Sequence, residues 1–246
     1  MRGRKGLCCL LLLGLVLSSL GATMPAEKPA VLKEEEKIPL DFFDDAVIMG
    51  DSISHILETY CYHSGDLGEV MFLCPNSYSV HNAVSGQPQV WIQGQPHSVE
   101  DAIALTGAKK VFIMLGVNDV AREGGVPGTM ELWQIMLDRI REKNPDLSFY
   151  IESCFQVYRY AEYLPDGNGV IDGYNELLKQ FCEDNGCVYV DIAHFFKDEF
   201  NALADVYCSD QYVHITNEAA ALWASLLRDP YRYSVNPLEA TEQANP

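Results

Sequence analysis

The chain has 246 residues, enough for one ordinary α/β domain and too few for two large ones. Hydrophobic residues make up 48% and charged residues 21%, a balance typical of globular proteins. The formal net charge of −18 argues against binding to nucleic acid and against electrostatic adhesion to anionic membranes, because both need clustered Lys and Arg.

The N-terminal segment has the pattern of a signal peptide. Three basic residues precede an almost wholly apolar run over 7–20, and small residues follow it. The run of about 14 residues is short for a membrane span of roughly 20, so a cleaved signal over 1–22 is predicted, with an uncleaved anchor as the alternative. We therefore expect a secreted or cell-surface protein with no other membrane contact.

The polar stretch 23–40 contains Pro and a run of Glu, and it is predicted to be a flexible acidic spacer. A similar tail covers 236–246, so a single domain is expected over 41–235. Outside the cytoplasm an even number of cysteines can pair, and the six beyond the signal allow 15 connectivities. The alternative is that several are small buried hydrophobes. These cysteines are Cys61, Cys74, Cys154, Cys182, Cys187 and Cys208.

Short apolar runs alternate with helical patterns along the domain. This alternation predicts a parallel sheet with helices on both faces, where sites lie at the carboxyl ends of the strands. Strands are predicted over 46–49, 78–84, 111–115, 148–153 and 188–191, and helices over 52–63, 99–106, 129–144, 170–185 and 216–228.

The first strand is followed by Gly50, Asp51 and Ser52. Gly50 permits a tight turn, and Ser52 then opens a helix at the positive end of its dipole. A backbone N–H at that position can face a developing oxyanion, which makes Ser52 a candidate nucleophile. The alternative is that Ser52 only caps the helix.

Two further motifs follow the second and third predicted strands. Gly86 ends the segment Asn-Ala-Val-Ser-Gly and could bring its backbone N–H close to a ligand. Asn118, in the segment Gly-Val-Asn-Asp, could donate a side-chain N–H to an oxyanion. A simple turn is the alternative for each motif, because Gly and Asn are turn residues.

Asp210 and His214 lie just before the last predicted helix. A histidine base needs a carboxylate that fixes its tautomer and stabilises the imidazolium, and these two residues are close enough in sequence to supply both. The carboxylates Asp51 and Asp119 are instead predicted to be structural. Neither cysteines nor histidines show zinc-ligand spacing, so no metal is expected.

Together these four segments resemble the blocks of the SGNH, or GDSL, hydrolase family. The resemblance covers about residues 45–228 and implies Ser52 as nucleophile, His214 as base, and the oxyanion hole from Ser52, Gly86 and Asn118. It also implies a flavodoxin-like three-layer α/β/α sandwich of about five parallel strands, without metal or cofactor. One departure concerns the acid, which in the family lies three residues before the histidine. Here that position is Gln211, so either a local bulge brings Asp210 to His214 or a backbone carbonyl orients a Ser–His dyad.

The resemblance implies an exported serine esterase that hydrolyses short acyl esters such as acetyl, on a small molecule or a glycan. Tyr158, Tyr160 and Tyr163 could line a sugar site by stacking, or could pack the loop. Two alternatives use the same scaffold: transfer of the acyl group to a sugar hydroxyl, and glycan binding without catalysis.

Overall fold

The computed structural model describes residue 29 and residues 31–122, 124–164 and 167–238. The predicted signal peptide and most of the predicted tail lie outside these residues. Among the described helices, none combines the length and the apolar composition that crossing a membrane requires.

The core is a five-stranded parallel sheet in the order β2-β1-β5-β6-β7. Its strands are β1 (Ala46–Gly50), β2 (Met71–Leu73), β5 (Lys110–Met114), β6 (Ser148–Glu152) and β7 (Val188–Val190), while β3 (Val90–Ile92) and β4 (Gln95–His97) form a separate hairpin. Every residue of β1 and β5 is buried, as expected for central strands that helices cover on both faces.

The helices form the two outer layers. They are α1 (Ser52–Ser64), α2 (Val80–Val84), α3 (Val99–Thr106), α4 (Gly125–Lys143), α5 (Gly169–Asn185) and α6 (Asn217–Leu227). In one layer α1 packs against α6, and in the other α4 contacts α2, α3 and α5. The predicted flavodoxin-like sandwich is confirmed, because the strand order places the first strand second in the sheet.

The prediction of the second strand was wrong. Residues 78–84 hold the short helix α2, and the edge of the sheet is formed by β2 instead. Two interactions stabilise the helix: the Ser79 hydroxyl accepts from the N–H of Asn82, and the distant Asp119 carboxylate accepts from the N–H groups of Val80 and His81. The second contact joins residues far apart in sequence, so local periodicity cannot reveal it.

Part of the predicted spacer belongs to the folded unit. Ile38 is fully buried, and its N–H donates to the carbonyl of Arg228 while its own carbonyl accepts from the Arg228 side chain. Arg228 also pairs with Glu34. The domain therefore begins before the predicted boundary at residue 41.

All six cysteines in the described part of the chain are free thiols. Cys61, Cys154, Cys182 and Cys187 are buried. This arrangement agrees with the alternative that they act as small hydrophobic side chains.

Candidate active site

The carboxyl end of β1 presents Ser52 at the first position of α1. The helix is capped by Asp51, whose Oδ1 accepts from the N–H of Ile53 at 2.9 Å, so the Ser52 hydroxyl is not used as the cap. The turn requires glycine before Asp51, because a Cβ on Gly50 would lie 2.0 Å from the hydroxyl oxygen of Ser54. The sequence thus leaves the Ser52 hydroxyl available to another group.

His214 and Asp210 complete a line of hydrogen bonds to that hydroxyl. Nε2 of His214 lies 3.1 Å from Oγ of Ser52, and Nδ1 of His214 lies 2.6 Å from Oδ2 of Asp210. With the Nδ1 proton shared with the carboxylate, Nε2 is left to accept the Ser52 proton. The structure therefore brings these three predicted site residues together.

The extra residue between acid and base is absorbed by a local bulge at Gln211. Gln211 has a left-handed backbone with φ of 58°. Oδ1 of Asp210 accepts from the N–H groups of Tyr212, Val213 and His214 at 2.9, 3.1 and 3.1 Å. The Asp210 carboxylate therefore holds the loop in the shape that brings it to the imidazole.

Asp210 stays ionised because of these contacts. Partial burial pushes its pKa upward, but the hydrogen bonds from the His214 ring and from backbone N–H groups outweigh it and lower the pKa below its ordinary value. A carboxylate next to the imidazole then stabilises the imidazolium that forms when His214 takes a proton.

Asn118 follows the carboxyl end of β5 and contacts Asp51, the residue before Ser52. Its Nδ2 donates to Oδ2 of Asp51 at 2.8 Å and to the carbonyl of Tyr78 at 3.1 Å. Its Oδ1 accepts from the hydroxyl of Tyr163 at 3.1 Å. Gly116 brings this loop onto α5, since a Cβ there would lie 2.4 Å from the Tyr174 ring and φ is +144°.

The carboxylate that holds Asn118 is itself out of contact with solvent. Asp51 is fully buried, and this burial raises its pKa to about 6, against the opposing effect of the hydrogen bond from Ile53. In its ionised form it accepts from Asn118 and from the first turn of α1. Asp51 is thus a structural acid that links the two strands, as the sequence predicted.

Among the described residues, no hydrogen bond joins Gly86 to Ser52, Asn118 or His214, and its assignment to the oxyanion hole stays a prediction. Gly86 lies beyond the C-terminal end of α2, where the carbonyl of Val84 accepts from Arg139. Arg139 is about 20 Å along α4 from the end at the sheet's carboxyl edge, at 1.5 Å per residue. The opposite end of α2 borders Asn118, whose side chain donates to the carbonyl of Tyr78. The segment that ends in Gly86 was predicted to follow a strand, but the structure has α2 there.

The sequence missed the contact between Asp119 and His81. Asp119 is fully buried, and its Oδ1 lies 2.7 Å from Nδ1 of His81 in addition to the two backbone N–H groups at the start of α2. The carboxylate therefore bonds this helix rather than its own loop. Nothing local to either residue signals the pairing.

Of the three tyrosines proposed for a sugar site, only Tyr163 contacts the site residues. Tyr158 is buried, and its N–H donates to the carbonyl of Tyr212. Tyr160 is 73% exposed and lies beside the Arg159 guanidinium, at 4.9 Å. Tyr158 therefore packs the loop, and Tyr160 faces solvent.

A groove of about 510 Å³ adjoins the Asn118 loop, between the first turns of α4 and α5. Arg122, whose Nε donates to the carbonyl of Asn118 at 2.7 Å, lies on its wall. The groove has mostly apolar walls, which include Val120, Val126, Leu164, Val170 and Leu177. Over the ranges that the structure describes, no cluster of three or more His, Cys, Asp or Glu could hold a metal ion.

Comparisons with known proteins agree with this geometry. Residues 48–222 match the model of the GDSL-like Lipase/Acylhydrolase family. No curated protein sequence matches the chain. Since the matched segment includes both Ser52 and His214 and exceeds half of the chain, it decides the family.

Solved structures share the fold at low identity. A GDSL-like lipase from Bacteroides thetaiotaomicron is 15% identical with a TM-score of 0.60, over 84% of this chain and 91% of the lipase. An acetyl xylan esterase is 16% identical with a TM-score of 0.55, over 74% of this chain and 97% of the esterase. A carbohydrate esterase of family 3 from Talaromyces cellulolyticus is 15% identical with a TM-score of 0.53, over 76% of this chain and 95% of that enzyme. With the sheet order and the matched segment, these findings lead to one conclusion: the chain belongs to the GDSL-like lipase/acylhydrolase family.

Proposed function

We propose that this protein is a serine esterase that cleaves its substrate through an acyl-enzyme on Ser52. The observation that supports it most is the unbroken line of hydrogen bonds from Asp210 through His214 to the Ser52 hydroxyl. A nucleophile bonded to a base that a third group orients is the general arrangement for nucleophilic catalysis.

In the proposed reaction, Nε2 of His214 takes the Ser52 proton while Oγ bonds to the ester carbonyl carbon. The tetrahedral intermediate collapses, the bond to the alcohol oxygen breaks, and the imidazolium gives its proton to the departing alcohol. Water then repeats the sequence on the acyl-enzyme and releases the acid. Asp210 holds the imidazole in the required tautomer throughout.

The oxyanion would be held by the backbone N–H of Ser52 and by the side chain of Asn118. The first lies at the N-terminus of α1, where the helix dipole favours negative charge. Asn118 has a shorter bond to Asp51 and a longer one to the Tyr78 carbonyl. We expect the Asn118 N–H that donates to the Tyr78 carbonyl to turn to the oxyanion instead, because a charged acceptor is stronger than a neutral carbonyl.

For the substrate, we propose short acyl esters such as acetyl, carried by a carbohydrate, and export through the N-terminal signal. The shared fold with an acetyl xylan esterase and a carbohydrate esterase supports this class. So do the groove beside Asn118, which has room for a small ligand, and the aromatic pair Tyr163 and Tyr212 next to the acid–base loop.

The test compares Ser52→Ala with Ser54→Ala. Ser54 is a matched control because it lies on the same helix and its buried hydroxyl has no hydrogen-bond partner among the described residues. We expect Ser52→Ala to lose both fluorophosphonate labelling and turnover of p-nitrophenyl acetate, and Ser54→Ala to keep both. Hydrolysis by Ser52→Ala at the wild-type rate would overturn the proposal, and an unlabelled wild-type serine would favour a binding protein.

A further inference from the structure

Tyr163 connects two loops of the site. It lies between β6 and α5, and its hydroxyl donates to Oδ1 of Asn118 at 3.1 Å. Its ring packs edge-on against Tyr212, with ring centres 5.2 Å apart and planes at 90°. Tyr212 lies between Asp210 and His214, so Tyr163 contacts both the oxyanion side and the acid–base side.

The hydrogen bonds of Asn118 fit one orientation of its amide. Nδ2 faces two acceptors, the Asp51 carboxylate and the Tyr78 carbonyl, while Oδ1 faces one donor, the Tyr163 hydroxyl. Rotation of the amide by half a turn would direct Oδ1 at both acceptors and Nδ2 at the phenol. Within the described ranges, Tyr163 is the residue that donates to Oδ1.

A donor on the amide oxygen also changes the amide as a hydrogen-bond donor. When a carbonyl oxygen accepts a hydrogen bond, the amide becomes more polarised and its N–H groups become stronger donors. Tyr163 therefore acts on the same N–H that is proposed to meet the oxyanion, without touching the reacting atoms.

We propose that Tyr163 is a positioning residue that holds and polarises the Asn118 amide for the transition state. This proposal rests on the proposed esterase function. Since charge on the substrate oxygen develops only in the transition state, loss of the hydroxyl should lower kcat and leave KM almost unchanged. We expect Tyr163→Phe to lower kcat about 10-fold, the equivalent of one ordinary hydrogen bond.

The decisive experiment is a double-mutant cycle with Asn118→Ala. That variant alone should lose about 100- to 1,000-fold in kcat, as is typical when one oxyanion donor is removed. If Tyr163 acts through Asn118, adding Tyr163→Phe to it should cost less than about 2-fold. Tyr160→Phe, on the same loop but exposed, is the matched control and should leave kcat unchanged.

Two kinetic outcomes would overturn the proposal: no loss of kcat in Tyr163→Phe, or the same loss in both backgrounds. A second measurement does not depend on activity. The side-chain amide signals of Asn118 in a ¹H–¹⁵N spectrum, assigned by their absence in Asn118→Ala, should shift in Tyr163→Phe and not in Tyr160→Phe. Unchanged signals would disprove the contact even if Ser52→Ala showed that the esterase proposal itself had failed.

Discussion

Gln211 shows how a single residue alters the spacing of a site without breaking it. A non-glycine residue with a positive φ of 58° is strained. Here the strained turn lets three backbone N–H groups donate to the Asp210 carboxylate. The same turn directs the other carboxylate oxygen to the imidazole. A four-residue spacing thus gives the contact that a three-residue spacing provides in the family.

The contribution of Asp210 to activity can be measured with Asp210→Asn. An asparagine has nearly the same shape but cannot hold the tautomer in which Nε2 accepts a proton, so kcat should fall by about 1,000- to 10,000-fold. Steady-state hydrolysis of p-nitrophenyl acetate measures this loss. Asp205→Asn is the control, because Asp205 is a largely exposed partner of Arg159. If Asp210→Asn were nearly as active as wild type, the enzyme would work as a Ser–His dyad.

Among the elements, α2 depends most on residues distant in the chain. It has five residues, too few to be stable alone, and Asp119 and the Ser79 cap hold its first turn. Its N-terminal end borders the Tyr78 carbonyl that Asn118 contacts. The position of this helix and the orientation of the Asn118 amide are therefore linked.

Replacing Asp119 with alanine should show this dependence. The substitution leaves the buried N–H of Val80, the part-buried N–H of His81 and the His81 ring without their acceptor, so we expect a loss of about 1–3 kcal/mol in unfolding free energy. Urea denaturation gives this value. Asp101→Ala removes a carboxylate from the exposed ion pair with Lys143 and should cost less than about 1 kcal/mol. Equal losses in the two variants would contradict the role of Asp119 in holding α2.

At the scale of the whole molecule, Glu152 is a buried acid in the central sheet. It ends β6, is fully buried, and accepts a hydrogen bond from the Trp223 indole of α6 at 2.6 Å. Burial raises its pKa to about 8, against the opposing hydrogen bond from Trp223. The folded protein therefore keeps a proton on this carboxyl at pH values where the unfolded chain has lost it.

This difference predicts how stability changes with pH. Between about pH 4.5 and about pH 8 the unfolded carboxyl is ionised while the folded one is protonated, so unfolding free energy falls as pH rises. Glu152→Gln keeps an acceptor for Trp223 and does not titrate. Its stability relative to wild type should increase from about pH 5 to about pH 8 and then level off. Urea denaturation across this range measures it, with the exposed Glu142→Gln as control. A relative stability independent of pH would show that Glu152 is ionised in the folded protein.

Much of the fold could be predicted from sequence because its elements carry strong local signals. The two central strands are continuous apolar runs, and the five longer helices have amphipathic periodicity with clear ends, such as Pro145 after α4 and the left-handed Gly186 after α5. The alternation of strands and helices then predicted a parallel sheet. Such a sheet places the turns after β1 and β5 at one edge. Ser52, Asn118, Asp210 and His214 were selected from those turns and from the loop before α6.

Short elements and contacts between distant residues were decided only by the tertiary structure. The three-residue strand β2 and the five-residue helix α2 have too little sequence for periodicity, and long-range contacts such as that from Asp119 stabilise them. The approach of His214 to Ser52 and the Tyr163 contact to Asn118 depend on how loops pack together. Local sequence therefore determined four of the five strands of the sheet, the five longer helices and the residue types of the site. Loop packing determined which of those residues meet, because these hydrogen bonds join residues far apart in the chain.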